Sequence, residues 1–192
     1  MKIIGVTGSS GAGKTEACKI LQKRYDAEII DADEVAKKLS KKGTLYLNSI
    51  IDSFGKEIIY KNGALNRKKL ANIIYEDNQK REQLNQCTFD YIVQEIKNRI
   101  NNINHKQMIL IDAPLLYESG LDSICDTVIT ILAQQEEQIK RICRRDNVTE
   151  ESAKKRLNAQ SDNTFFEEVG DIQIRNDGTL KQLEEQLNKI KV

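Results

Sequence analysis

The chain has 192 residues, 39% hydrophobic and 31% charged, and its 30 Lys+Arg against 29 Asp+Glu leave a net charge of +1. That length suits one large domain or one core carrying an insertion, and the near-neutral balance argues against a nucleic-acid surface. No apolar run approaches the about 20 residues that a membrane-spanning helix needs, so no membrane partner is expected.

The first segment reads as a strand over 2–7, a loop, a helix over 14–25 and a strand over 27–30 that ends on Asp31. Such a βαβ unit predicts a parallel sheet with its sites at the carboxyl ends of the strands. The loop Gly8-Ser9-Ser10-Gly11-Ala12-Gly13-Lys14-Thr15 fits G-x-x-x-x-G-K-[ST] in the context the pattern requires, a strand before and a helix after. Glycines let the backbone N–H groups turn inward on phosphate oxygens, Lys14 adds a positive charge for the terminal phosphates, and the Thr15 hydroxyl can ligate Mg²⁺. The helix that follows brings its positive end to the same place. A nucleoside triphosphate is the expected ligand.

Residues 33–104 look almost wholly helical, with segments over 33–42, 45–54, 67–75 and 78–103. A single crossover needs about a dozen residues, so the excess reads as an inserted helical subdomain. Ile92, Ile96, Ile100 and Ile103 follow helical spacing and predict one buried face. Asp31-Ala32-Asp33 stands where strand two gives way to this insertion. Its carboxylates can hold Mg²⁺ or take a proton from an attacking hydroxyl; equally, Asp33 can simply cap the helix over 34–39.

Strands over 108–111, ending on Asp112, over 127–132 and over 172–174 complete a five-stranded parallel core. Asp112 either approaches Mg²⁺ from the strand end or caps locally. A charged helix over 135–145 and another over 151–159 form a short hairpin carrying Arg141, Arg144, Arg145 and Arg156. These arginines are either solvated or clamp phosphates, and a hinged basic hairpin suits a lid that excludes water. In a final helix over 180–190, Leu180, Leu183, Leu187 and Ile190 have core spacing. Cys18, Cys87, Cys125 and Cys143 form no C-x-x-C pair, which predicts reduced thiols and a cytoplasmic protein. The N-terminus enters the first strand at once, without a leader pattern, and the lone His105 argues against a zinc site.

Several segments in this order and spacing resemble the dephospho-CoA kinase family. They are Val6-Thr7-Gly8, the phosphate loop, Ile30-Asp31-Ala32-Asp33, Asp112-Ala113-Pro114-Leu115-Leu116-Tyr117-Glu118-Ser119-Gly120, Arg144-Arg145-Asp146, Ala153…Arg156…Ala159-Gln160, and Asn176 before Gly178. The resemblance implies a P-loop NTPase core (1–32, 105–138 and 165–192), a helical CoA-binding insertion (33–104) and a helical lid (139–164). It implies transfer of the γ-phosphoryl of ATP, with Mg²⁺, to the ribose 3′-hydroxyl of dephospho-CoA by a monomer or weak homo-oligomer. In that mapping Asp33, Lys14 and Arg145 are catalytic, with Asp33 as base or orienter of the hydroxyl. Gly8, Gly11, Ala12, Gly13, Lys14, Thr15, Glu16, Arg141, Arg145 and Asn176 bind the nucleotide, Asn176 near the adenine, and Thr15 holds the metal. The chain departs from the family at Phe89-Asp90, in place of His-Pro, and in Ser9, Glu16 and Arg175. The same core would serve another small-molecule or nucleotide kinase, or a silent ATP-binding sensor. No Asn-Lys-x-Asp segment supports a GTPase.

Overall fold

The computed structural model describes residues 1–191. Five strands, β1 (Lys2–Thr7), β2 (Glu28–Asp31), β3 (Met108–Asp112), β4 (Thr127–Leu132) and β5 (Ile172–Arg175), form one sheet. Their order is β2-β3-β1-β4-β5, and every pairing is parallel. β1 is central: β3 flanks it on one side and β4 on the other, so the chain's winding reverses at its carboxyl end. In open parallel sheets that is where ligands bind. Ile4 and Val6 are fully buried, and with Leu110, Ile129, Ile131 and Ile174 they pack against helix α1 (Lys14–Tyr25) through Leu21.

The chain divides into two compact units, residues 1–31 with 103–192, and residues 32–102. The second is all helical apart from a small bridge: α2 (Ala32–Leu39), α3 (Leu45–Phe54), α4 (Arg67–Glu76) and α5 (Asn78–Asn102), with Ile59 and Leu65 paired across a turn at Gly63. Tyr46, Leu47, Ile50, Phe54, Ile58, Leu65 and Leu70 make its core, and Ile92 packs on them. Ile96 and Ile100 of α5 are buried as their spacing predicts.

The first unit continues with α6 (Gln135–Asp146), α7 (Glu150–Asn158), α8 (Asn163–Val169) and α9 (Leu180–Leu187). Ile139, Ile142, Ala153 and Leu157 form the seam of the α6–α7 hairpin.

Several sequence expectations shift. α2 starts at Ala32, directly off β2, so Asp33 lies inside the first helical turn and is not its cap. The same helix stops at Leu39 rather than 42. There the Ser40 hydroxyl donates to the Lys37 carbonyl at 3.0 Å, and Thr44 donates to the Leu39 carbonyl at 2.5 Å, side-chain competition that ends a helix. α8 is unforeseen; the Asp162 carboxylate caps it by accepting the Phe165 N–H at 3.0 Å. α9 ends at Leu187, and Leu180, its first residue, is 58% exposed instead of in the core. Among the described residues all four cysteines are free thiols, and no helix is long and apolar enough to cross a membrane.

Candidate active site

The loop between β1 and α1 is built from glycines where no other residue fits. Gly8 has φ +140°, and a Cβ there would lie 2.2 Å from the Ile131 carbonyl oxygen in β4. Gly13 has φ +104°, and its Cβ would lie 2.2 Å from Asn176 Nδ2. Both constraints are steric, and together they fold the loop tightly against the sheet. Lys14 Nζ donates back to the carbonyls of Gly8 at 2.8 Å and Ser9 at 3.2 Å, which holds the ammonium over the loop. The arrangement sets a cation, the loop backbone and a helix N-terminus side by side, which suits a polyphosphate.

Behind the loop, Thr15 Oγ1 donates to Asp112 Oδ2 at 3.2 Å. Asp112 is buried and stands in register beside Asp31, at the ends of β3 and β2. Cys18 of α1 is buried close by. Burial pushes its thiol well above the ordinary range and the Asp112 charge adds to the effect, against an opposing pull from Lys14. That thiol stays protonated and has no nucleophilic role. Thr15 and Asp112 offer hard oxygen donors of the kind Mg²⁺ prefers. Among the described residues no group of three or more His, Cys, Asp or Glu forms a metal-binding cluster.

Arg141 belongs to the loop and not to solvent. Its Nη1 donates to the Gly11 and Ala12 carbonyls, each at 3.3 Å, and its Nη2 to the Asn176 carbonyl at 2.8 Å. Asn176, just past β5, donates from Nδ2 to the Ala12 carbonyl at 2.7 Å. Gly8, Gly11, Ala12, Gly13, Lys14, Thr15, Arg141 and Asn176 are thus brought together in one place. The Glu16 side chain pairs instead with Lys19 at 2.7 Å on the exposed face of α1.

Arg145 stands in a clasp. Its guanidinium is bidentate on Asp146, at 2.7 and 2.8 Å, and Arg156 of α7 reaches the same carboxylate at 2.8 Å. The Arg145 hydrogen bond is the main reason that the Asp146 carboxyl lies below its usual 3.8, with the charges of Arg145 and Arg156 acting the same way. A lowered folded-state value means the clasp is fully formed above pH about 4 and is lost as pH falls through that lowered value. Because the groups are partly exposed, its worth is about 1 kcal/mol. Amide exchange in α7, taken relative to its intrinsic rate at each pH, should therefore quicken below pH about 4 in the native chain. In Asp146→Asn it should already be faster at pH 7, with no acid step; an unchanged step in that variant would rule the clasp out.

In the second unit Asp33 lines a cavity of about 270 Å³ with Lys37, Tyr46, Arg67, Leu70 and Leu84. Arg67 donates to the Ser40 hydroxyl and, at 3.3 Å, to the Lys37 carbonyl, so it is fixed across the end of α2. Burial pushes the Tyr46 phenol up to about 12, which keeps it a neutral hydrogen-bonding group. The cavity joins an apolar floor to two carboxylates, Asp33 and Glu34, and two cations.

The sequence gives no signal at Gln138, and Gln160 enters there only within the Ala159-Gln160 segment, without a role. Gln138 donates from Nε2 to the Ser9 hydroxyl, and Gln160 Oε1 accepts the Ser10 N–H at 2.8 Å. Partners separated by 129 and 150 residues leave no local trace in the sequence.

A phosphate loop at the end of a central strand, in a five-stranded parallel sheet of order 2-3-1-4-5, defines the P-loop kinase class. The solved shikimate kinase of Acinetobacter baumannii shares this fold, with a TM-score of 0.58 at 17% identity over 100% of this chain and 96% of that one. The dephospho-CoA kinase (CoaE) family model matches residues 2–182. The chain belongs to the dephospho-CoA kinase family. It is 36% identical over 190 residues to the dephospho-CoA kinase of Listeria innocua, covering 97% of this chain and 94% of that protein. The solved dephospho-CoA kinase of Campylobacter jejuni superposes with a TM-score of 0.65 at 25% identity, over 98% and 95% of the two chains.

Proposed function

We propose that the chain transfers the γ-phosphoryl of ATP to the ribose 3′-hydroxyl of dephospho-CoA, giving CoA and ADP in the cytoplasm. One observation carries the donor half: the loop with Lys14 pinned over its own carbonyls and fastened from behind by Arg141 and Asn176. A loop held in shape before the nucleotide arrives spends little binding energy on ordering. Its backbone N–H groups and Lys14 hold the β- and γ-phosphates in line for attack, which is most of what phosphoryl transfer requires. Thr15, with Asp112 behind it, would hold Mg²⁺, which when bound neutralises charge on the phosphate oxygens.

The acceptor half belongs to the helical unit, residues 32–102. Asp33 takes the proton of the 3′-hydroxyl or orients it. The apolar floor beneath it and the cations Lys37 and Arg67 suit a ligand that joins a flat base and a diphosphate. The α6–α7 hairpin, residues 139–164, serves as the lid; Arg145 leaves Asp146 for the nucleotide phosphates when it closes. Asp33→Asn should cut CoA formation by about 10²–10⁴-fold, the range for a lost general base, with ATP affinity unchanged. Coupled assay of CoA formation and calorimetry with an ATP analogue check both arms. Turnover within threefold of the native chain would remove Asp33 from the chemistry, and a better nucleoside acceptor than dephospho-CoA would overturn the substrate.

A further inference from the structure

Two glutamines outside the loop hold its first half, and they differ in what they leave unused. Gln138, buried on α6, gives its nitrogen to the Ser9 hydroxyl. Gln160, two residues beyond the end of α7, is used at its oxygen, which accepts the Ser10 N–H at 2.8 Å. A backbone N–H can only donate, so the atom facing Ser10 must be Oε1 and the amide orientation is fixed. The other end is then an NH₂ with two donors. Among the described residues that Nε2 has no hydrogen-bond partner, whereas the Gln160 oxygen and backbone N–H are both engaged.

Gln160 also lines a cavity of about 500 Å³, together with Ser9, Gln135, Gln138 and Asn158. The carboxylate in that wall, Asp162, caps α8. The Gln160 amide is thus tied at one end to a loop that presents N–H groups to phosphate, with its donor end unpaired at a polar cavity beside the same loop. In water a glutamine side chain turns freely; here the Ser10 bond removes that freedom, so a phosphate oxygen would meet a donor already oriented.

We propose that Gln160 is a phosphate-binding residue of the donor site, its Nε2 donating to the terminal phosphoryl oxygens of bound triphosphate while Oε1 stays on Ser10. The inference rests on reading Gly8–Thr15 as the donor loop. It also gives the hairpin a means of sensing the nucleotide: Gln160 follows α7, so its donor is in place only when the far end of the hairpin lies against the loop.

The test is calorimetric binding of ADP and of an unreactive ATP analogue, both with Mg²⁺, to the native chain, Gln160→Ala and Gln160→Glu, beside their thermal melts. Loss of one hydrogen bond to a charged group should weaken the analogue about tenfold in Gln160→Ala and leave ADP within about twofold. Gln160→Glu retains an acceptor for Ser10 but sets a negative charge where the donor stood. It should melt like the native chain, yet bind the analogue more weakly than Gln160→Ala does. Equal weakening of ADP and analogue, or native-like analogue binding by Gln160→Glu, would show that the residue only braces the loop and overturn the proposal. A native chain that shows these binding ratios but forms no CoA would support the inference and sink the proposed acceptor instead.

Discussion

Lys14→Met should lower CoA-forming turnover by about 10²–10³-fold, the loss expected when one preorganised donor to transition-state charge is removed. Methionine keeps the length and apolar stem of the side chain but carries no charge. In the native loop the ammonium is held by the Gly8 and Ser9 carbonyls, at 2.8 and 3.2 Å, so it meets the phosphates without first being ordered. The charge matters more as the phosphoryl group leaves than while ATP rests, so the effect should fall mainly on kcat and less on KM. The melting temperature should stay close to native, because Lys14 is not part of the buried core. Steady-state kinetics with dephospho-CoA decide the matter: a kcat within tenfold of native would deny Lys14 a role in the transfer.

Gly8→Ala should damage the fold itself. The added Cβ would meet the Ile131 carbonyl oxygen at 2.2 Å, and that atom is backbone of β4, next to β1 in the sheet. No rotamer change can relieve such a contact; β4 or the loop must move. The positive φ of Gly8 adds a strain of about 1–3 kcal/mol for a residue with a side chain. With the clash, the destabilisation should reach about 3–5 kcal/mol, at the upper end for single substitutions. Urea unfolding followed by circular dichroism measures it. Gly43→Ala is the contrast, since its φ of +86° is also positive but nothing lies within 4 Å of the added atom. If the two variants lost equal stability, strain alone would account for both and the clash with β4 would not matter.

The parts of this molecule that were legible in the sequence have short-range causes. β1, the loop and α1 follow one another within 25 residues, and each announces itself through periodicity or glycine spacing. The helical character of residues 32–102 showed for the same reason, as did the buried face of α5 at Ile96 and Ile100. The start of α2 was misplaced because β2 passes into it without a linker, so Asp33 had the look of a cap. α8 was missed because seven residues carry too little periodicity, and its capping aspartate resembles any loop aspartate. In the site, residue types alone left Arg141 as plausible on a wet helix face as on the loop. Its hydrogen bonds to Gly11, Ala12 and Asn176 depend on where β4 and β5 bring α6 and the segment after β5. Gln138 and Gln160 are further cases: the role of an uncharged amide, in a polar helix or just beyond one, does not show until its partner on the loop is in place.

The Asn176 bond to the Ala12 carbonyl joins residues 164 apart in the chain. In a polypeptide made from its N-terminal end, the phosphate loop is therefore synthesised long before the side chain that holds it. Until β5 has been added to the edge of the sheet, Ala12 lacks its amide donor and Arg141 lacks the Asn176 carbonyl it braces against. Nucleotide binding is thus expected to tighten only once that last strand has docked, with incomplete chains the weaker binders.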